Sequence, residues 1–163
     1  MSRWGIAKKL VAVSALYAFP AGMLTYLYPG LFTAPIPRWM LTMAGEVLLF
    51  LGIPLLIWAA RTFTAGFNKG DLVVHGLFSW VRNPIYAIWI FFLIPGIALL
   101  CASWLLLLTP LVTYLGFTRL IRAEERYLAK RFGQRYLDYK ARTHAIWPFS
   151  TLIWRCREKR NGK

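Results

Sequence analysis

From Ile85 to Thr118 the chain runs 34 residues without a charged side chain. One helix of that length would measure about 51 Å, well beyond the ~30 Å hydrocarbon core of a bilayer. Two shorter helices joined near Cys101, Ala102 and Ser103 fit instead, each about 24 Å long and so little tilted. Two further apolar runs precede this hairpin. Leu10 to Tyr28 carries no charge, and Pro20 and Gly22 inside it are tolerated where neighbouring helices re-satisfy the freed backbone groups. Trp39 to Ala60 holds a single ionisable residue, Glu46, and is bounded by Arg38 and Arg61. With 58% hydrophobic and 16% charged residues, the chain has neither the polar surface of a soluble globule nor the charge of a disordered one. The expectation is an all-α integral membrane protein forming one domain over residues 1–163. Its four spans lie at about 10–28, 39–60, 85–100 and 103–118, the last two a short hairpin. Arg3, Lys8 and Lys9 resemble the positive start of a secretory signal, but the apolar run is too long and no small-x-small cleavage site follows.

Charge sets the orientation. Residues 1–9 hold 3 Lys and Arg, residues 61–84 hold 3 and residues 119–163 hold 13, whereas the opposite face holds only Arg38. The positive-inside rule therefore places both termini, the 61–84 loop and an interfacial C-terminal helical segment, 119–163, in the cytoplasm. The net charge of +14 is then mainly orientation and attraction to anionic membrane lipids, not nucleic-acid binding. Six of the eight Trp (Trp4, Trp39, Trp80, Trp104, Trp147 and Trp154) fall near predicted span boundaries, as an interfacial belt requires. Cys101 at the outer turn and Cys156 in the basic cytoplasmic tail are predicted on opposite faces, so neither a disulfide nor a metal site is expected. Glu46, an acid inside a span, is a functional candidate by default; near the outer quarter of its helix, a structural interhelical hydrogen bond is the expected role.

Any chemistry must use the two cytoplasmic segments. In the first, Gly66, Gly70 and Gly76 supply turns and close backbone approach. Pro84 holds Asn83 out of the helix and starts the third span, where Asn83 is expected to cap. In the second, Leu120, Ile121, Glu124, Tyr127, Leu128 and Arg131 share one helical face, while Arg122, Glu125, Arg126 and Lys130 turn toward the other. Glu124 thus sits on the apolar face; Glu125 reads as a solvated partner of Arg122 or Arg126. Gly133 is a natural C-cap, and a short helix bearing Tyr136 and Tyr139 is expected before Pro148.

The run Phe63-Thr-Ala-Gly66, the element Leu72-Val-x-x-Gly76-x-Phe-x-Trp-x-Arg82-Asn83-Pro84-x-Tyr86, and the element Glu124-Glu125-x-x-Leu128-x-x-x-Phe132-Gly133-x-x-Tyr136-x-x-Tyr139-x-x-Arg142 occur in that order around the hairpin. Together they resemble the isoprenylcysteine carboxyl methyltransferase and phospholipid methyltransferase family over about residues 61–149. The resemblance implies an integral membrane enzyme that uses S-adenosyl-L-methionine, held in a cytoplasmic cavity closed by the C-terminal segment, with a lipid-linked acceptor entering from the bilayer. It assigns the cofactor to Gly70, Asp71, Leu72, Val73, Phe78, Asn83, Pro84, Ile85, Tyr86 and Glu124. Glu124 and Arg142 are the candidate catalytic residues, and Arg142, Arg119 and Tyr139 the candidate substrate contacts. Three positions depart from the eukaryotic pattern: Asn83 replaces a histidine, Leu120 an arginine implicated in substrate binding, and Ile88 a glycine. The acceptor stays open between a prenylcysteine carboxylate, an aminophospholipid and a small lipophilic thiol or acid.

Methyl transfer from a sulfonium is an in-line displacement that cancels charge, so alignment and exclusion of water are its main needs. A carboxylate nucleophile requires no base. An amine or thiol does, and His75, Glu124 or a substrate phosphate are the candidates. Tyr86, Tyr136 and Tyr139 offer π faces to a cation or a purine. Arg82 is either a headgroup anchor or part of the site.

Overall fold

A computed structural model describes residues 6–68 and 70–146; Trp4, Trp147, Pro148, Trp154 and Cys156 lie outside them. The described residues form no strand beyond two isolated bridges. The helices are α1 (Ala7–Leu27), α2 (Pro29–Phe32), α3 (Arg38–Asn68), α4 (Pro84–Ile88), α5 (Ile94–Leu100), α6 (Thr109–Phe132) and α7 (Gln134–Arg142). A π-turn, Trp89–Leu93, joins α4 to α5 in one rod, Pro84–Leu100. The segments Ala7–Leu27, Arg38–Asn68 and Leu106–Phe132 are long and apolar enough to cross a membrane, whereas Pro84–Leu100 is shorter.

The side chains are distributed inside out. Leu16, Phe19 and Phe50 are 79%, 77% and 79% exposed, while α1 buries Ser14 and Ala21 and α3 buries Gly45, Gly52 and Ala59. Water would penalise such a surface and lipid does not, so this is an integral membrane protein. Small residues let the helices approach. On α3 against the rod, a Cβ on Gly45 would lie 2.8 Å from the Gly96 carbonyl oxygen, and one on Gly52 2.7 Å from Phe92 Cβ. On α1 against α6, Ser14 Oγ and Thr113 Oγ1 share a hydrogen bond of 2.9 Å, and Tyr17 of α1 donates to the Leu105 carbonyl, ahead of α6, at 3.1 Å.

Three expectations are corrected. The helix of the second span does not stop at Ala60: a charge ends a span, not a helix, and α3 runs two turns further to Asn68 before Gly70 (φ 72) turns the chain. The fourth span and the start of the C-terminal segment are likewise one helix, because nothing between Pro110 and Gly133 breaks it. The break near residues 101–103 is present; there Ala102 takes φ 50 and its carbonyl accepts from Ala34 N–H at 2.8 Å. Glu46 makes no interhelical hydrogen bond among the described residues and is exposed. Its neighbour Gly45 takes the contact with Gly96, and one residue is about 100° of helical turn, which carries Glu46 off the interface.

Candidate active site

Gly66 packs under Val73, where a Cβ would collide with Val73 Cγ2, and its carbonyl accepts from Asp71 N–H at 3.1 Å. This lays residues 71–73 along the end of α3 and buries Leu72 and Val73. Gly76 (φ 63) then opens a 3₁₀ turn, Gly76–Ser79, that turns Phe78 inward, its ring 6.2 Å from that of Phe63. The chain passes through Val81 and Arg82 to Asn83, which is non-helical (φ −128, ψ 62) ahead of Pro84. One turn into α4, the Tyr86 hydroxyl donates to Glu124 Oε2 at 3.2 Å. The Phe117 ring, 5.6 Å away, backs the phenol.

A clasp draws the segment after α7 over this turn. Arg82 Nη2 donates to Glu125 Oε1 at 2.6 Å, Nη1 to the Lys140 carbonyl at 3.0 Å, and Nη1 also to the Thr143 carbonyl. Glu125 Oε2 accepts from Lys140 Nζ at 2.7 Å. The Arg82 and Asn83 backbone N–H groups donate to His144 and Ala145 carbonyls at 2.7 and 3.1 Å. The Asn83 side chain joins them, donating to the Ala145 carbonyl at 3.0 Å rather than capping α4. Tyr139 donates to the Phe78 carbonyl at 2.6 Å. Glu125 is therefore not a solvated partner of Arg122 or Arg126; it and Arg82 are 14% and 10% exposed. Burial lifts the Tyr136 hydroxyl to about 12, with the Glu125 charge adding to it. Burial also raises that of Tyr139. Both stay neutral phenols at physiological pH.

These elements enclose a cavity of about 620 Å³. Its wall includes Gly70, Asp71, Leu72, Val73, Phe78, Asn83, Pro84, Ile85, Tyr86 and Glu124, together with Tyr136 and Tyr139. Arg119, Arg142 and His75 are exposed and are not part of that wall. Of the candidate substrate contacts only Tyr139 is brought to it. The wall also holds Arg82, whose part in the site the sequence left open, and residues that sequence reasoning had given no role: Leu10 and Val11 of α1, Phe63 and Thr64 of α3, Trp89 of the π-turn and Arg131 of α6. Arg131 was legible as a face-mate of Glu124; nothing in the sequence pointed to α1. The lining thus combines charged and polar groups, Asp71, Arg82, Asn83, Glu124 and Arg131, with apolar side chains that include those of α1.

The family model for isoprenylcysteine carboxyl methyltransferase matches residues 39–130. The chain belongs to this family. Similar curated proteins are the protein-S-isoprenylcysteine O-methyltransferases of Xenopus laevis, 32% identical over 67% of this chain and 41% of the relative, and of Tribolium castaneum, 31% identical over 77% and 46%. The Saccharomyces cerevisiae protein of the same name is 29% identical over 77% of this chain and 57% of its own length. The chain therefore spans less than half of the first two relatives. No solved structure matches it. The family match takes in α3, the loop, the rod and most of α6, and so the elements that carry Phe78, Asn83, Tyr86 and Glu124.

Proposed function

We propose that this chain is a methyltransferase that moves a methyl group from S-adenosyl-L-methionine to a lipophilic or lipid-linked acceptor. The observation that carries the reading is that all ten residues the resemblance assigns to the cofactor line one cavity of about 620 Å³, within the ordinary size range of small-molecule sites. The wall fits such a ligand: the Glu124 carboxylate suits ribose hydroxyls, Tyr86, Phe78 and Tyr136 offer faces to a purine and a cation, and the loop backbone after Gly70 approaches closely. The cofactor supplies an electrophilic methyl on a sulfonium. Glu124, oriented by Tyr86, holds one ligand in place, and the clasp of Arg82 and Asn83 keeps the C-terminal segment over the site and water out.

The acceptor approaches from the apolar side, along Leu10, Val11 and Leu56. Its reacting group is proposed to be a carboxylate on a prenylcysteine, the acceptor in the relatives' names; methylation of such a group needs no base, consistent with His75 standing outside the wall. Arg119 and Arg142 then serve the headgroup region instead of the reacting atoms. The rod Pro84–Leu100 is proposed as the third of four spans, with both termini cytoplasmic. Calorimetry with S-adenosylhomocysteine on protein in detergent tests the cofactor site. Wild type and Glu46→Gln bind alike and Glu124→Ala loses binding; equal affinity in wild type and Glu124→Ala would show the site is elsewhere.

A further inference from the structure

Among the described residues, two cationic side chains line the cavity, Arg82 and Arg131. Arg82 is committed to Glu125. Arg131 is not: its described contacts are Tyr127, whose hydroxyl lies 3.5 Å from Nη1, and the Phe132 ring, 5.3 Å from the guanidinium carbon. Both neighbours belong to the cavity wall, so the guanidinium is kept at the mouth. Asp71 also lines the cavity, and Arg135, on α7 beyond the Gly133 break, reaches it at 3.9 Å. Asp71 and Arg135 are 63% and 64% exposed, and so long and exposed a pair is worth little. Asp71 is left able to meet a second cation. Asp71 and Arg131 are both exposed and both line the cavity, so a carboxylate and a guanidinium stand at its solvent-facing rim, while its lining also includes the apolar Leu10, Val11 and Leu56.

We propose that Arg131 and Asp71 clamp the amino-acid end of the cofactor, Arg131 taking the α-carboxylate and Asp71 the α-ammonium. The inference rests on the proposed cofactor and adds its orientation and a binding residue the resemblance did not assign. A zwitterion is the most strongly hydrated part of S-adenosylmethionine and belongs at the wet rim, where paired opposite charges replace its water. Anchoring that end at the rim directs the sulfonium methyl inward, toward Leu10, Val11 and Leu56, where an acceptor held by its apolar chain meets it in line. The reverse orientation would bury both charges of the zwitterion against apolar side chains.

Calorimetry with three ligands tests this. Wild type is expected to bind S-adenosylhomocysteine about tenfold more tightly than its decarboxylated analogue, S-adenosyl-3-thiopropylamine, and more tightly again than 5′-methylthioadenosine, which lacks both charges. In Arg131→Leu the preference for the carboxylate disappears while 5′-methylthioadenosine binds as in wild type, which also shows that the variant is folded. In Asp71→Asn the preference of the amine over 5′-methylthioadenosine falls. Wild-type protein that binds S-adenosylhomocysteine and its decarboxylated analogue equally overturns the clamp and leaves the cofactor site standing. Wild-type protein that binds none of the three overturns the cofactor reading itself. An Arg131→Leu protein that keeps the full preference, or loses all three ligands alike, also overturns the clamp.

Discussion

Replacing Arg82 by Leu releases the segment after α7 from the turn before α4, and the size of the effect follows from the clasp. Arg82 and Glu125 are 10% and 14% exposed and 2.6 Å apart; removing one member of a buried pair costs about 3–5 kcal/mol. The lower figure applies, because Lys140 at 2.7 Å keeps Glu125 from being stranded, and the freed Lys140 and Thr143 carbonyls turn to water. A loss of about 3 kcal/mol for local opening raises the open population roughly a hundredfold. Limited trypsin digestion reads it at the Arg142–Thr143 bond, which is protected in wild type because Thr143 is 7% exposed and hydrogen-bonded to the Tyr139 carbonyl. Cleavage through a rapidly closing open state follows the open population, so Arg82→Leu is cut there about a hundredfold faster. Arg82→Lys falls between, keeping the charge without the fork that reaches a carboxylate and two carbonyls together. Glu125→Gln accelerates cleavage about tenfold, since Arg82 retains its carbonyls. An Arg82→Leu protein cut at the wild-type rate at this bond would refute the clasp.

Gly66→Ala places a Cβ against Val73 Cγ2 and costs about 1–3 kcal/mol of stability with weaker S-adenosylhomocysteine binding; adding Val73→Ala restores both, and a double variant no better than the single would show the contact is not the cause. Folding raises the pKa of Tyr136 to about 12 and raises that of Tyr139, so their contribution to stability is complete below the ordinary tyrosine value near 10 and is lost as pH climbs through the folded value. Melting temperature in detergent is therefore flat from about pH 7 to 9 on their account and falls above about pH 10. Tyr139→Phe, which deletes the bond to the Phe78 carbonyl, lowers stability by about 1 kcal/mol at neutral pH and makes the alkaline fall shallower. An unchanged alkaline limb would show that the phenol is not shielded as described.

The residues legible in the sequence were those whose meaning is local. Helical spacing put Glu124, Tyr127, Leu128 and Arg131 on one face, and all four line the cavity. Pro84 announced the start of the rod, and Gly133 (φ 56) the end of α6. What spacing could not supply was partnership across the chain. Glu125 looked like a surface residue because its nearest opposite charges in sequence are Arg122 and Arg126, yet it binds Arg82, 43 residues away, and Lys140, 15 away. Asn83 looked like a cap because it precedes a helix, but its amide finds the Ala145 carbonyl 62 residues on. Glu46 looked internal because its run is apolar; which side of a helix faces a neighbour depends on where Gly45 and Gly96 meet. Arg61 looked like the end of the second span's helix, but a charge does not end a helix, so two turns of α3 that wall the cavity were read as loop.

Incorporation of tritiated methyl from labelled S-adenosylmethionine by the purified protein in lipid vesicles measures methyl transfer to a lipophilic acceptor. With N-acetyl-S-farnesylcysteine present, the expected label is organic-soluble and base-labile, released as methanol, abolished by Glu124→Ala and retained in Glu46→Gln. Label that appears only in vesicle phosphatidylethanolamine would move the acceptor to an amine. No label in either, from protein shown to bind S-adenosylhomocysteine, would contradict methyl transfer to a lipophilic acceptor.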